Sequence, residues 1–184
     1  AIGRGSLADP QFAKKLEMGC PELIRPCISC QNCIKSLFDM GSIQCSVNPN
    51  VTQDFSYALH PALQKKRVAV VGGGVAGMEA ARTAKLRGHE VELFEAEDHL
   101  GGHLNEAGSH PFKTGIARLN AWYARELDAL GVAVHLNRRI TADEIRSLSF
   151  DSVILAVGSY HYIPAFVEGH DHKKAALSLD VLLG

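Results

Sequence analysis

The sequence has little that would suit it to a membrane, a secretory route or a nucleic acid. No apolar run approaches the roughly 20 residues that cross a bilayer, and the first residues lack the charged-then-apolar order of a signal peptide. The 19 basic and 20 acidic residues leave a net charge of -1, which argues against a basic groove or a polybasic anchor. We therefore expect a cytoplasmic protein with neither a nucleic acid nor a membrane as partner.

Cysteine is scarce and unevenly placed, since all five cysteines lie before residue 46. A disulfide framework would normally staple the whole of a small fold. Cys27, Cys30, Cys33 and Cys45 instead form the pattern C-x2-C-x2-C-x11-C. Three thiolates this close, with a fourth returned by a loop, can surround a four-iron four-sulfur (4Fe-4S) cluster. Structural zinc is the alternative, although zinc sites more often use two separated C-x2-C pairs; Cys20 breaks the spacing and is expected to be a plain thiol.

The chain changes character near residue 65, where a loop-like segment rich in Cys, Pro, Asn and Ser gives way to alternating strands and helices. The patterns predict strands over 67–71, 91–95, 132–136 and 153–157, and helices over 75–87, 113–130 and from Thr141 onward. We expect the last strand, which is apolar throughout, to be buried on both faces. Near the N-terminus, Asp9 and Pro10 predict the start of a short helix that runs to Met18.

A glycine-rich turn follows the first predicted strand and opens the first long helix. Gly72, Gly74 and Gly77 satisfy G-x-G-x-x-G, in which the three glycines allow a tight turn, backbone approach to a pyrophosphate and close helix–strand packing. Glu95 ends the next predicted strand, where its carboxylate would accept hydrogen bonds from an adenosine ribose and repel a 2′-phosphate. The pattern predicts FAD or another ADP-containing nucleotide; a packing role without a ligand is the alternative.

Two further segments favour FAD over NAD. Residues 100–105, which begin Leu-Gly-Gly-His, resemble the L-G-G segment that lies against the pyrophosphate and ribityl chain in flavoproteins with two dinucleotide domains. Residues 154–158 resemble the A-T-G strand of the same proteins, with Val157 in place of the Thr.

The order of these motifs resembles the old yellow enzyme-related iron–sulfur flavoenzymes, which include 2,4-dienoyl-CoA reductase, 2-enoate reductase, and trimethylamine and histamine dehydrogenases. Gly3-Arg4 and Leu7-Ala8-Asp9-Pro10 come first, then the cysteine pattern with its C-x-V-N-P end, then the FAD fingerprint. In that family a TIM barrel binds FMN and substrate, a cluster lies beside the barrel, and FAD- and NAD(P)H-binding domains follow. The resemblance covers essentially the whole chain.

The resemblance implies an α/β fold in three parts. Residues 1–20 would be the C-terminal remnant of an FMN-binding TIM barrel, and residues 21–64 a 4Fe-4S cluster-binding segment and linker. Residues 65–184 would be a Rossmann-like FAD-binding βαβ domain with a parallel sheet, incomplete and without the NAD(P)H domain. The implied cofactor contacts are Gly3 and Arg4 for the FMN phosphate, Ile140 for adenine, Gly72, Gly74, Gly77, Glu95, Gly101, Gly102, His103, Ala156 and Gly158 for FAD, and Cys27, Cys30, Cys33 and Cys45 for the cluster.

The function implied is electron transfer in a multidomain NAD(P)H:flavin oxidoreductase, between FAD and FMN through the cluster, to reduce an activated alkene of the enoate or enoyl-CoA type. The partners would be the missing barrel and NAD(P)H domain of the same parent chain, and a homo-oligomeric parent is compatible with this. No catalytic residue is implied, and we expect the segment alone to be inactive. The alternatives are an amine dehydrogenase-type member with a structural ADP or FAD, which the C-x2-C-x2-C spacing favours, and a non-catalytic zinc- and nucleotide-binding module.

Overall fold

A four-stranded parallel sheet lies at the centre of the molecule. The computed structural model describes residues 2–52, 58–159, 162–164 and 166–183, and the strand order is β3-β2-β1-β4. The strands are β1 (Arg67–Val71), β2 (Glu90–Phe94), β3 (Ala133–His135) and β4 (Ser152–Leu155). Val70 stands opposite Leu93 on one side and Ile154 on the other. The predicted α/β fold with a parallel sheet is confirmed.

Eight α-helices are assigned in the described part of the chain. They are α1 (Arg4–Ala8), α2 (Phe12–Glu17), α3 (Asn32–Phe38), α4 (Val75–Leu86), α5 (Leu104–Gly108), α6 (Thr114–Ala129), α7 (Ala142–Ser147) and α8 (Ser178–Leu183), with 3-10 turns at Pro21–Leu23 and Pro111–Lys113. None of the helices described is long and apolar enough to cross a membrane.

The core forms where α4 packs on the strands and α6 packs on α4. Its largest fully buried side chains are Trp122, Met78, Leu93, Leu127 and Val70, and burial of each large apolar side chain stabilises the fold by about 1.5–3 kcal/mol. Helix α4 contributes alanines to the core as well. Small side chains let a helix approach a strand closely. The short turn over 72–74 places the N-terminus of α4 directly after the end of β1.

The expectation that the last strand is buried on both faces was wrong. Strand β4 is shorter than predicted and lies at the edge of the sheet, bonded to β1 alone within the described residues. Its side chains alternate between half-buried and exposed, so that Val153 is 41% and Leu155 72% exposed. A continuous apolar run does not distinguish a covered face from an open one.

Helix α2 begins later than Asp9 and Pro10 predict, although Asp9 does cap the turn before it: its Oδ1 accepts from Gln11 N at 3.0 Å. Helix α1 ends at Ala8, and α2 begins at Phe12 behind Gln11, which makes no side-chain cap. The buried Asp9 carboxylate accepts bonds from Lys15 Nζ at 2.7 Å and from the backbone N of Arg25 at 2.8 Å. The Asp9 carboxylate therefore combines a local cap through Oδ1 with tertiary partners at Oδ2.

The cysteine-bearing segment packs against the same core as the sheet. Val47 is buried in that core, and the side-chain amide of Asn48 donates to Leu7 O at 2.9 Å. Trp122 of α6 donates from Nε1 to Leu23 O at 3.0 Å. The V-N pair that follows Cys45 therefore joins the N-terminal helices to the remainder of the chain.

Candidate functional site: two glycine loops and a cysteine loop

The turn after β1 has a geometry that only glycine can supply. Gly72 has φ of +107°, and a Cβ there would overlap the backbone O of Ala156. A Cβ on Gly77 would overlap the backbone O of Gly72 in the same way. The first and last glycines of the motif are therefore required by close backbone approach, as the sequence pattern predicts.

The middle glycine is different, because it faces open space. Gly74 is the N-cap of α4, with φ of -71° and ψ of 180°, and no side chain caps the helix. Nothing lies within 4 Å of a Cβ built on Gly74. The first N–H groups of a helix have no partner within the helix, and together with the helix dipole they favour an anion such as a phosphate.

A second glycine loop lies directly beside the first. Gly101 N donates to Gly73 O at 2.9 Å, and Gly101 forms a parallel bridge with Gly74. A Cβ on Gly102 would lie 3.2 Å from the Cα of Gly74. The two glycine segments, which are separated by β2 in sequence, thus form one glycine-lined surface at the N-terminus of α4.

A pair of asparagines supports the second glycine loop from behind. Asn120 of α6 donates through Nδ2 to Leu100 O at 3.2 Å and to Asn105 Oδ1 at 2.8 Å. A Cβ on Gly101 would overlap the Asn120 amide. Sequence reasoning missed Asn120. A signal was present, because this polar residue lies four residues after Ile116, on the helix stripe that was assigned to the core.

Glu95 directly follows β2 and reaches the first glycine loop. Its Oε2 accepts from Gly73 N at 2.6 Å, and its Oε1 accepts from Glu97 N at 2.9 Å. An ionised carboxylate offers about four acceptor sites, so two remain for other donors. The loop that carries Ile140 lies at the same edge, since Arg138 N donates to Glu95 O at 2.7 Å.

The remaining cofactor-binding candidates lie in three parts of the chain. Ala156 N donates to Val71 O at 2.8 Å, and a Cβ on Gly72 would overlap Ala156 O, so Ala156 lies beside the first glycine loop. Gly158 follows two residues later in the chain, with φ of +74°. His103 is the N-cap of α5, with Nδ1 3.4 Å from Glu106 Oε1. Gly3 and Arg4 belong elsewhere, at the exposed start of α1 in the N-terminal part of the chain.

The cysteine loop is shaped by two non-glycine residues in the left-handed region. Ser29 has φ of +56° and Gln31 φ of +59°, which bends the chain between Cys27, Cys30 and Cys33. Ser29 N donates to Cys27 Sγ at 3.4 Å. Such conformations are costly for residues other than glycine, and they cluster here between the candidate ligands.

Two contacts bring the fourth cysteine's segment to this loop. Cys30 Sγ lies 3.3 Å from the hydroxyl of Ser46, the residue after Cys45, and Cys27 and Cys45 both pack against the hydrophobic core. Burial raises the pKa of the Cys30 thiol, but hydrogen bonds from the Ser46 side chain and from backbone N–H groups outweigh it, so that this pKa is lowered. Cys20 is separate, with its Sγ 3.5 Å from Met18 O.

The cysteine donor set suits a cluster or a thiolate-bound metal. All five thiols are free, and N–H and O–H donors aimed at sulfur stabilise the thiolate that binds metal. In the part of the chain that the structure describes, however, no three Cys, His, Asp or Glu side chains already form a metal-binding group. The four candidate cysteines thus lie on neighbouring loops, but their side chains do not converge on one metal-binding position.

The glycine surface, the parallel sheet and Glu95 are typical of the dinucleotide-binding class of α/β domains. The family described as pyridine nucleotide-disulphide oxidoreductase matches residues 43–146, which is more than half of the chain. The chain belongs to this family of flavin- and pyridine nucleotide-linked oxidoreductases.

Individual relatives confirm the resemblance to the old yellow enzyme-related iron–sulfur flavoenzymes. Cinnamate reductase from Clostridium sporogenes is 41% identical over 160 residues, which are 86% of this chain and 24% of the relative. A 2-naphthoyl-CoA reductase solved in complex with 2-naphthoyl-CoA is 37% identical with a TM-score of 0.92, over 98% of this chain and 28% of that one. Histamine dehydrogenase from Rhizobium sp. 4-9 is 30% identical with a TM-score of 0.82, over 92% of this chain and 25% of that one. The chain spans about a quarter of the length of these relatives.

Proposed function

We propose that the chain is an electron-transfer part of an NAD(P)H:flavin oxidoreductase that reduces an activated alkene of the enoate or enoyl-CoA type. The observation that carries the proposal is the joint glycine surface, with Gly74 open and the Glu95 carboxylate beside it, on a domain against which the cysteine segment is packed. The names of the reductase relatives support the alkene as the substrate class.

On this proposal the glycine surface holds the pyrophosphate of FAD. The N–H groups that begin α4 bind the phosphates, and Gly74 and Gly102 let the backbone approach them. Glu95 accepts from the ribose hydroxyls with its remaining lone pairs, and its charge excludes a 2′-phosphate. His103, Ile140, Ala156 and Gly158 border the same surface and are assigned to FAD with it; ADP alone is the smaller ligand that would fit the same contacts.

Cys27, Cys30, Cys33 and Cys45 are the proposed ligands of a 4Fe-4S cluster. The donors of Ser46 and of the backbone stabilise sulfur as thiolate, and the left-handed turns at Ser29 and Gln31 orient the first three ligands. A bound cluster would supply one-electron transfer between two-electron flavins.

The same proposal extends to the parts of the chain. Residues 1–20 are assigned as barrel remnant, with Gly3 and Arg4 toward an FMN phosphate, residues 21–64 as cluster segment and linker, and residues 65–184 as an incomplete FAD domain. The barrel and the NAD(P)H domain are the proposed partners within a cytoplasmic parent chain.

A second candidate is an amine dehydrogenase-type protein with a structural ADP or FAD. It is favoured by the C-x2-C-x2-C spacing together with the histamine dehydrogenase likeness. The glycine surface would then serve stability rather than electron flow.

Cofactor analysis of the purified chain, after anaerobic incubation with iron and sulfide, tests these proposals. We expect about four irons per chain, a brown absorption that dithionite bleaches, and binding of FAD but not of NADP. Cys45→Ser should abolish the iron, whereas the matched control Cys20→Ser should keep it. A colourless protein that holds zinc would refute the cluster, and ADP bound as tightly as FAD would favour the second candidate.

A further inference from the structure

Arg25 is a charged side chain buried inside the cysteine segment. Only 6% of the residue is exposed, and Lys and Arg are rarely buried this far without partners. Its backbone N donates to Asp9 Oδ2 at 2.8 Å, and its side-chain NH1 donates to Val47 O at 2.6 Å. Arg25 thus connects the chain segment that leads into the first cysteine with the segment that follows the fourth.

The spacing of these contacts matters for the cysteines. Arg25 precedes Cys27 by two residues, and Val47 follows Cys45 by two residues. The hydrogen bond between them therefore fixes the separation of the two arms that carry the first and last candidate ligands. Cys30 and Cys33 lie within the loop that these arms enclose.

The Arg25 guanidinium also contacts helices α4 and α6. The Arg25 guanidinium lies 4.6 Å from the centroid of the Trp122 ring of α6, and its NH2 is 3.6 Å from Glu79 Oε2 of α4. Arg82 approaches the same ring at 5.4 Å and pairs with Glu79 and with Glu126. Two arginines and two glutamates thus form a charge-balanced cluster around one indole.

We propose that Arg25 is a positioning residue for the cysteine site, a role that rests on the proposed function of that site. It holds the arms of Cys27 and Cys45 at one separation and fixes both arms against α4 and α6 through Trp122 and Glu79. The planar guanidinium donates in its plane while its face lies on the indole, and a lysine ammonium does not combine these two contacts. Without Arg25 the four thiols converge less readily, whichever metal they hold.

Cobalt(II) is a probe of thiol convergence that does not depend on cluster assembly, because soft thiolates bind it and give a visible absorption. The reduced chain is titrated with Co2+ as wild type, Arg25→Met, Arg25→Lys and Thr141→Ala. The last variant removes the capping box of α7, far along the chain from the cysteines, and is the control for a general loss of stability.

We expect Arg25→Met to weaken Co2+ binding at least tenfold, in the range of changes to residues that support metal ligands. Arg25→Lys should recover only part of the loss, and Thr141→Ala should bind Co2+ as the wild type does. Because Trp122 is the only tryptophan, its fluorescence reports the docking separately, and Arg25→Met should make it redder and more easily quenched by acrylamide.

The outcomes separate this inference from the proposed function. Equal Co2+ affinity of Arg25→Met and wild type would overturn the positioning role, even if the protein assembles a cluster. A chain that takes up no iron but whose Co2+ affinity depends on Arg25 would refute the cluster and support the positioning role. If wild type binds no Co2+ through its thiols, the positioning role fails, and the iron analysis alone decides the cluster.

Discussion

Gly74 and Gly77 belong to one motif, yet their replacement by alanine should have opposite effects on stability. A Cβ at Gly77 would overlap the Gly72 carbonyl and would lie 3.4 Å from the Ala156 Cβ. Neither neighbour is a flexible side-chain end, so α4 must withdraw from the sheet. Overpacking of this kind costs about 1–3 kcal/mol, and Met78 on the next position of α4 is fully buried. We expect Gly77→Ala to lower the melting temperature and FAD affinity together.

Gly74→Ala should instead separate folding from binding. The backbone of Gly74 is extended with negative φ, and its Cβ would meet nothing within 4 Å. Replacing glycine at such a position stabilises a protein by about 0.4–1 kcal/mol, because the unfolded chain loses freedom. The new methyl group would stand between the α4 N–H groups and a pyrophosphate. Loss of one hydrogen bond to a charged group costs about 1.5–3 kcal/mol, which is roughly a 10- to 150-fold increase in Kd.

The assay is thermal melting without ligand, followed by titration of FAD monitored by its fluorescence. The expected result is a Gly74→Ala protein that melts at or above the wild-type temperature and binds FAD at least tenfold more weakly. If this variant binds FAD with wild-type affinity, the pyrophosphate does not approach Gly74 and the glycine surface is not the FAD site.

Three further changes follow from individual contacts. Asp9→Asn should destabilise the chain by about 1–3 kcal/mol at neutral pH. Burial acts to raise the pKa of Asp9, but its hydrogen bonds from Lys15 and from backbone N–H groups lower it overall, so the stabilisation by Asp9 is present above the usual pKa of about 3.9. The denaturation curves of the two proteins should therefore converge as the pH falls below that value. Asn120→Leu should weaken FAD binding more than it lowers the melting temperature, because the Gly101 loop loses its support, and equal FAD affinity would contradict this. Thr141→Ala should cost about 1 kcal/mol in urea denaturation, since the capping box of Thr141 and Glu144 is formed; an unchanged midpoint would show that α7 does not unfold with the rest.

Local patterns predicted most of the fold because they depend on neighbours in sequence. The strand over 67–71 has the predicted bounds, and a helix begins after Thr141 as predicted. Both follow from a few adjacent residues. The exposure of β4 was misjudged and the bonds of Asp9 to Lys15 and Arg25 were missed, because both depend on which distant elements lie against these residues.

The candidate site likewise contains residues that local patterns indicate and residues that they do not. Spacing alone singles out Gly72, Gly74 and Glu95, and the structure places the Glu95 carboxylate on the glycine turn that Gly72 and Gly74 belong to. Arg25 and Asn120 act across the fold, on a carbonyl 22 residues away and on one 20 residues away. No spacing rule indicates such partners, and only the folded chain shows which polar side chains are buried among them.

Strand β4 bears on how the chain behaves in a test tube. Among the described residues no strand pairs with the side of β4 that faces away from β1, which is flanked by Val153 and Leu155. Edges of this kind recruit extended segments from other molecules. We expect light scattering from the purified chain to rise with protein concentration even while the melting curve stays cooperative. A single Val153→Lys change would place a charge on that border and keep concentrated samples clear.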